Sequence, residues 1–317
     1  MLQRELRPLD DADATARWNA LAEVAAVASP FSAPDVIRGI AASSGTTASL
    51  VFATDDGSDV AAIATFSRRA GPLRKLVHPS TAYYSPILLR SAPDPSSVHQ
   101  QRDGLSVLLR TLKQLRHRPR VQLPPTIVDI RPAHGQGLVA TPFYTFTARP
   151  GENRSAKWSS SSRRLFERYH NQYELDDSAE TVAPVVEMAQ QAYERSGRKS
   201  PFQAAPLVSA IHRMRAGGHV ATLGLRDSNG EVKGGVMLLR NRDTACYWIS
   251  GSEPGPAMTV MVGRLLEWLA AEGVKEFDFM GANTFSIAEF KRRFGTTLRP
   301  FFHVTWPGGR FGTATSG

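Results

Sequence analysis

Apolar and polar residues alternate through several short runs of this chain, and elsewhere apolar residues recur every three to four positions. Residues 48–54 and 60–67 alternate as two strands, and Asp55, Asp56 and Gly57 between them are turn chemistry. Residues 219–225 and 232–240 repeat that layout around Asp227, Ser228, Asn229 and Gly230. Each hairpin follows a helical pattern and precedes an aromatic strand, 82–88 with Tyr83 and Tyr84, then 244–250 with Tyr247 and Trp248. Each half continues with a helix, 105–115 or 257–272, and a last strand, 126–130 or 274–280. Both last strands set an aspartate among apolar residues, Asp129 and Asp278. Two copies of one layout predict a duplicated α/β subdomain.

Helix signals are clearest in the second copy. Asp177, with Glu180 three residues on, predicts a capped start. Val182, Val185, Val186, Ala189 and Tyr193 then keep helical spacing, and Gly197 ends the run. Met258, Met261, Val262, Leu265, Leu266 and Leu269 form another apolar face, ended by Gly273, and read as core packing. The polar stretch 149–162 reads as a linker dividing residues 1–150 from 151–317, and residues 308–317 as a frayed tail.

Composition changes the picture in two respects. Of 317 residues, 42% are hydrophobic and 21% charged, which excludes disordered and fibrous classes. The net charge of +9 is clustered: Arg110, Lys113, Arg116, Arg118 and Arg120; Arg154, Lys157, Arg163, Arg164 and Arg168; Lys291, Arg292, Arg293 and Arg299. Such a balance suits anionic partners, among them phosphate-bearing cofactors, RNA or an anionic membrane surface, and equally a solvated basic surface. The single cysteine, Cys246, sits in a strand-like run and reads as a core thiol, with no disulfide or cysteine zinc site to form. His170, His212, His219 and His303 have no metal-ligand spacing and read as structural; no metal is expected. No apolar run approaches ~20 residues and the N-terminus has no leader pattern, so the expected setting is cytoplasmic, without a membrane span.

The most specific segment runs from Phe277 to Gly295. An alternating strand, Phe277-Asp278-Phe279-Met280, meets Gly281, and a basic helix with Phe290, Lys291, Arg292, Arg293 and Phe294 follows. A strand end beside a basic helix is where open α/β sheets bind ligands. No G-x-S-x-G or H-E-x-x-H pattern is present, so neither a serine elbow nor a zinc protease is indicated.

Those residues resemble the GNAT acetyltransferase superfamily, and within it the tandem branch of FemAB-type aminoacyl transferases and the acetyltransferases of cellulose or exopolysaccharide synthesis. Residues 158–168 and Tyr247 to Gly251 add to the likeness, as do Tyr144 to Phe146 and Leu298 to Phe302. It covers residues 140–305 well and the first half by layout only. The resemblance implies an α/β (α+β) fold of two GNAT-like subdomains, each a mixed, mostly antiparallel sheet flanked by helices. It also implies direct attack of an amine on an acyl donor lying between two splayed strands, here 244–251 and 274–280. Catalysis then comes from positioning and oxyanion stabilisation, without a covalent intermediate.

In such a scheme Lys291 stabilises charge near the acyl carbonyl, and Asp278 is a base or pairs with an arginine. Tyr247 gives a proton to the leaving group. Gly251, Ser252, Gly255 and Ala257, with Arg292 and Arg293, hold the phosphates of acetyl-CoA or another acyl-CoA. The loop departs from the family pattern. Ser252 stands where a basic or amide residue is usual, Pro254 and Pro256 each lack an N–H, and Glu253 adds negative charge. Three functions follow: acyl transfer from acyl-CoA to an amine, on a small molecule or a sugar or cell-envelope precursor; aminoacyl-tRNA-dependent transfer; and a non-catalytic module binding RNA or another anion.

Overall fold

The computed structural model describes residues 6–71, 73–90, 97–115, 119–152 and 155–307. Arg116, Arg118 and Arg154 of the basic groups, and the expected tail 308–317, lie outside the described residues. The chain divides into two compact units that part at Phe143/Tyr144 and again at Arg299/Pro300.

Unit 1 opens with β1 (Arg7–Pro8), α1 (Ala12–Glu23), β2 (Ala25–Ala28) and α2 (Pro34–Ser43). Asp11 caps α1 by accepting the Ala14 N–H at 3.1 Å, and Trp18 and Leu21 bury its inner face. Next come β3 (Thr47–Asp55), β4 (Ser58–Ala70), β5 (Leu73–Val77) and β6 (Ile87–Arg90). Asp56 (φ 46°) and Gly57 (φ 77°) make the hairpin turn that the Asp-Gly pair predicts. The strand order is β1-β3-β4-β6-β2, with β5 on β4. Leu105, Leu108, Leu109 and Leu112 of α3 (Ser97–Lys113) pack on Val51, Ala61, Ile63 and Leu89 of this sheet. β7 (Val121–Leu123), α4 (Arg131–Gly135) and the start of β8 (Val139–Ala148) complete the run.

Two expected strands of unit 1 are not formed as read. Residues 82–86 bend, so only β6 is extended there; Pro79 and Pro86 punctuate the run. Residues 126–130 follow the Pro124-Pro125 pair and turn, Ile127 N–H bonding to Pro124 O at 2.9 Å. Asp129 there is held well below the usual carboxylate range, at about 2, by Arg131.

Unit 2 begins with the rest of β8. α5 (Ser160–Tyr169) follows, then β9 (Glu174–Asp176), α6 (Val182–Arg195), α7 (Ala204–Ala216), β10 (Val220–Arg226), β11 (Val232–Arg240), β12 (Thr244–Ser252), α8 (Ala257–Ala271), β13 (Glu276–Asp278) and α9 (Phe285–Arg292). β14 (Thr297–Thr305) starts in unit 2, and its residues from Pro300 belong to unit 1, where it pairs with β7. The strand order in unit 2 is β8-β13-β12-β11-β10-β9; β12 and β13 run parallel, and β8 with β13, β12 with β11, β11 with β10 and β10 with β9 run antiparallel. α8 buries Met261, Val262, Leu265, Leu266 and Leu269 on this sheet, and Gly273 (φ 73°) ends it. The polar stretch expected as a linker holds buried Trp158 and the first turn of α5, capped by Ser159. Asp177 does not cap α6. Asp176 instead accepts the Ser178 N–H at 2.8 Å and the Arg226 guanidinium at 2.6 Å, and a short 3₁₀ turn precedes the helix.

Candidate functional site: a parted strand pair in unit 2

β12 and β13 pair in parallel at Thr244/Glu276, Ala245/Phe277 and Cys246/Asp278, and the pairing goes no further. β12 continues to Ser252, whereas β13, expected to reach Met280, stops at Asp278. The stop has a local cause. The Asp278 carboxylate accepts the Met280 N–H at 2.7 Å and the Thr145 hydroxyl at 2.5 Å, folding the chain back on itself. Met280 (φ 53°) and Gly281 (φ 40°) take left-handed backbone, which for methionine costs about 1–2 kcal/mol. Beyond the turn the chain keeps to β8, Phe279 N–H bonding to Phe146 O at 2.9 Å and Ala282 N–H to Tyr144 O at 2.8 Å. A bulge at Trp248, where Met237 faces Ile249 and Leu238 faces Tyr247, bends β12 on the other side. The two strands therefore part beyond Cys246 and Asp278.

Lys291, from α9, stands at this opening and is buried. Its ammonium donates to the carbonyls of Phe279 at 2.7 Å, Gly281 at 2.8 Å and Met280. Those three acceptors form the left-handed turn, so Lys291 fixes the end of β13. Burial pushes its pKa down to about 7, against the pull of Asp278. The same ammonium lies 5.8 Å from the Tyr247 ring centroid. The Tyr247 hydroxyl donates to Met258 Sδ at 2.9 Å, tying β12 to the first turn of α8. Burial raises this phenol to about 12, so it carries its proton at neutral pH. Lys291, Asp278 and Tyr247, far apart in sequence, thus meet at the parted strands.

The residues expected to hold phosphates are dispersed. A cleft of about 670 Å³ lies beside the start of α8, lined by Tyr173, Arg226, Lys233, Glu253, Pro254 and Ala257 among others. Of the expected phosphate residues only Ala257 lines it. Gly251 has another role: a Cβ there would come 2.4 Å from Ala189 N and 2.6 Å from Val185 O, so its absence lets α6 lie directly on β12. The Ser252 carbonyl accepts from Arg195 at 3.2 Å. Gly255 (φ 134°) turns the chain into α8. Arg292 forms a two-point ion pair with Glu289, both contacts 2.6 Å, and the Arg293 carbonyl accepts the Ser159 N–H at 2.8 Å.

Lys233 and Arg226 escaped the sequence reading. Lys233 meets Glu231 at 2.7 Å, Glu253 at 3.4 Å and Asp227 at 3.8 Å, and Glu231 first, then Glu253, raise it to about 12. The hairpin register carried the signal, because Gly234 faces Ser252 and thereby brings Lys233 beside Glu253. An acyl-CoA diphosphate fits this helix start only in part. Ala257 opens the helix, but Pro254 and Pro256 supply no N–H, and Glu253 already engages the nearest lysine. Among the described residues there is no cluster of three metal-ligating side chains, and no helix is long and apolar enough to cross a membrane.

Among the described residues, unit 2 is a mixed sheet flanked by helices whose parallel pair, β12 and β13, parts beside the start of α8. Residues 153–292 match the family model described as Acetyltransferase (GNAT) domain. Solved structures agree on the fold. FemX superposes with a TM-score of 0.66 over 92% of this chain and 96% of its own, at 11% identity. L-PGS from Bacillus licheniformis gives 0.56 over 94% and 92%, at 12% identity. A tandem GNAT protein from the clavulanic acid biosynthesis pathway gives 0.51 over 95% and 98%, at 15% identity. No curated protein matches the sequence.

Proposed function

We propose that this protein is an N-acyltransferase that moves an acyl group, acetyl in the simplest case, from an acyl-CoA thioester to an amine by direct attack. The observation that carries the reading is the parting of β12 from β13 beyond Cys246 and Asp278, the place where an acyl donor would lie between two strands. The amine nitrogen bonds to the acyl carbon, the carbon–sulfur bond breaks, and the sulfur takes up a proton while the amine loses one. Tyr247, protonated at neutral pH and bonded to the Met258 thioether and the Ser250 side chain, is suited to supply the proton. Lys291 is a positioning residue here: its contacts with three carbonyls hold the turn that keeps the strands apart. Asp278 holds the same turn from within.

The acceptor in this reading is an amine on a small molecule or on a sugar or cell-envelope precursor. Residues 151–317 carry the chemistry, and residues 1–150, a second GNAT-like subdomain, serve the acceptor. The work belongs in the cytoplasm, where acyl-CoA and aminoacyl-tRNA are made. A second donor, aminoacyl-tRNA, is favoured by one observation, the Glu253–Lys233 pair over a helix start with two prolines. The test is thiol release from acetyl-CoA across a panel of amines including amino sugars, beside transfer from a 3′-aminoacyl adenosine. Amine-dependent thiol release supports the first donor and aminoacyl transfer the second. Neither, in folded protein that binds RNA, leaves the non-catalytic module.

A further inference from the structure

Unit 1 holds a second group of titratable side chains that acyl transfer does not use. β7 and β14 pair antiparallel, with His303 opposite Gln122 and Val304 opposite Val121. Directly opposed residues share a face, as does the residue two positions along. Gln122 and His303 therefore share one face of this ribbon, and Arg120, the residue before β7, lies close enough for its charge to act on His303 and His78. His78 reaches the same place from the chain after β5. It bonds to the Gln122 side chain, and its Nε2–H donates to Ala82 O at 2.5 Å. Phe143 stacks on the His303 ring at 3.8 Å and 22°, and Tyr83 and Phe143 both pack on Phe301.

Arg120, His78 and His303 are each half-buried. Among the described residues Arg120 has no carboxylate partner, whereas Arg17, Arg131, Arg226, Arg240 and Arg292 all pair with acids. Its charge acts instead on the two imidazoles. Burial first, and then the Arg120 charge, hold each at about 4, so both are neutral at pH 7. A half-buried guanidinium without a counter-ion is costly. The neutral His303 imidazole and the Gln122 amide carry N–H donors suited to oxygen, whereas the single N–H of neutral His78 is held by Ala82 O.

We infer that Arg120, Gln122 and His303, with His78 packed beside them, form an oxyanion site on unit 1 for a carboxylate or phosphate group. The Phe143–His303 stack and Tyr83 favour a ligand with a ring beside that group. Assigning this ligand to the acceptor rests on the acyltransferase reading; the anion site itself does not.

The experiment follows the histidine ring signals of the full chain by NMR at pH 7 and constant ionic strength. Inorganic phosphate and acetate are the probes, and His78→Gln and His303→Gln assign the two signals. The expected result is a saturable shift of both signals with at least one probe, and at least ~tenfold weaker binding in Arg120→Gln, the loss of one charge-assisted fork. Arg120→Lys, which keeps the charge, falls between. A response to phosphate alone identifies a phosphate ligand, and a response to acetate alone a carboxylate. No shift with either probe, or equal affinity in Arg120→Gln with unchanged circular dichroism, overturns the site. Anion binding without any acyl transfer would refute the proposed function and leave the site standing.

Discussion

Replacing Lys291 with methionine tests how the end of β13 is held. Lys291→Met keeps the length of the side chain and removes its charge and donors. The folded pKa, about 7, lies below the ordinary 10.5. Between those values the unfolded chain holds the proton and the folded chain releases it, so stability rises with pH across that window. Each pH unit inside it is worth at most about 1.4 kcal/mol, so from pH 7 to 8.5 the wild type gains up to about 2 kcal/mol. Other perturbed groups act outside this range. Burial lowers His78 and His303 to about 4, which affects stability below pH 6.5, and raises the Cys246 thiol, which acts near pH 9 and above. Urea unfolding followed by tryptophan fluorescence at pH 7.0, 7.5, 8.0 and 8.5 reads the slope. Lys291→Met should be flat over that range. It should also lose activity, because three buried carbonyls lose their donor, at about 1–3 kcal/mol each when unsatisfied. Equal slopes in the two proteins, or a flat wild type, would refute the reasoning.

Three further outcomes are expected. Gly251→Ala, which drives a Cβ to 2.4 Å from the Ala189 nitrogen, should destabilise unit 2 by roughly 1–3 kcal/mol, seen as a lower melting temperature; an unchanged melting temperature would mean that α6 does not lie against β12 there. Glu253→Gln removes a charge partner of Lys233 and should tighten acyl-CoA binding several-fold by calorimetry; unchanged affinity would mean that the donor phosphates do not reach this helix start. Tyr247→Phe should lower kcat about 10²-fold while leaving KM for the donor near its original value, as loss of a proton donor does; a change confined to KM would make the hydroxyl a binding group.

Much of unit 2 was legible because its pattern is local. The β10–β11 hairpin follows from alternation around Asp227 to Gly230, and α8 from its apolar spacing and Gly273. Prolines explain the failures in unit 1, where Pro79, Pro86 and the Pro124-Pro125 pair shortened or removed strands that alternation alone proposed. The site was half legible. Lys291, Asp278 and Tyr247 were named from their segment, and the structure brings them together. Their partners were not visible, since a lysine aimed at three carbonyls and an aspartate on Thr145 depend on contacts across more than a hundred residues or on one turn's dihedral angles. That α6 lies directly against Gly251 was likewise not visible, because no sequence reports where another helix crosses a strand.

The central claim is that the acyl donor lies where β12 leaves β13. Backbone amide NMR of the full chain, titrated with acetyl-CoA and separately with 3′-aminoacyl adenosine, tests it most directly. The account predicts saturable shifts at Tyr247 to Gly251 of β12 and at Phe279 to Gly281 with one of these donors. Binding that moves other amides and leaves those two segments unchanged would contradict it.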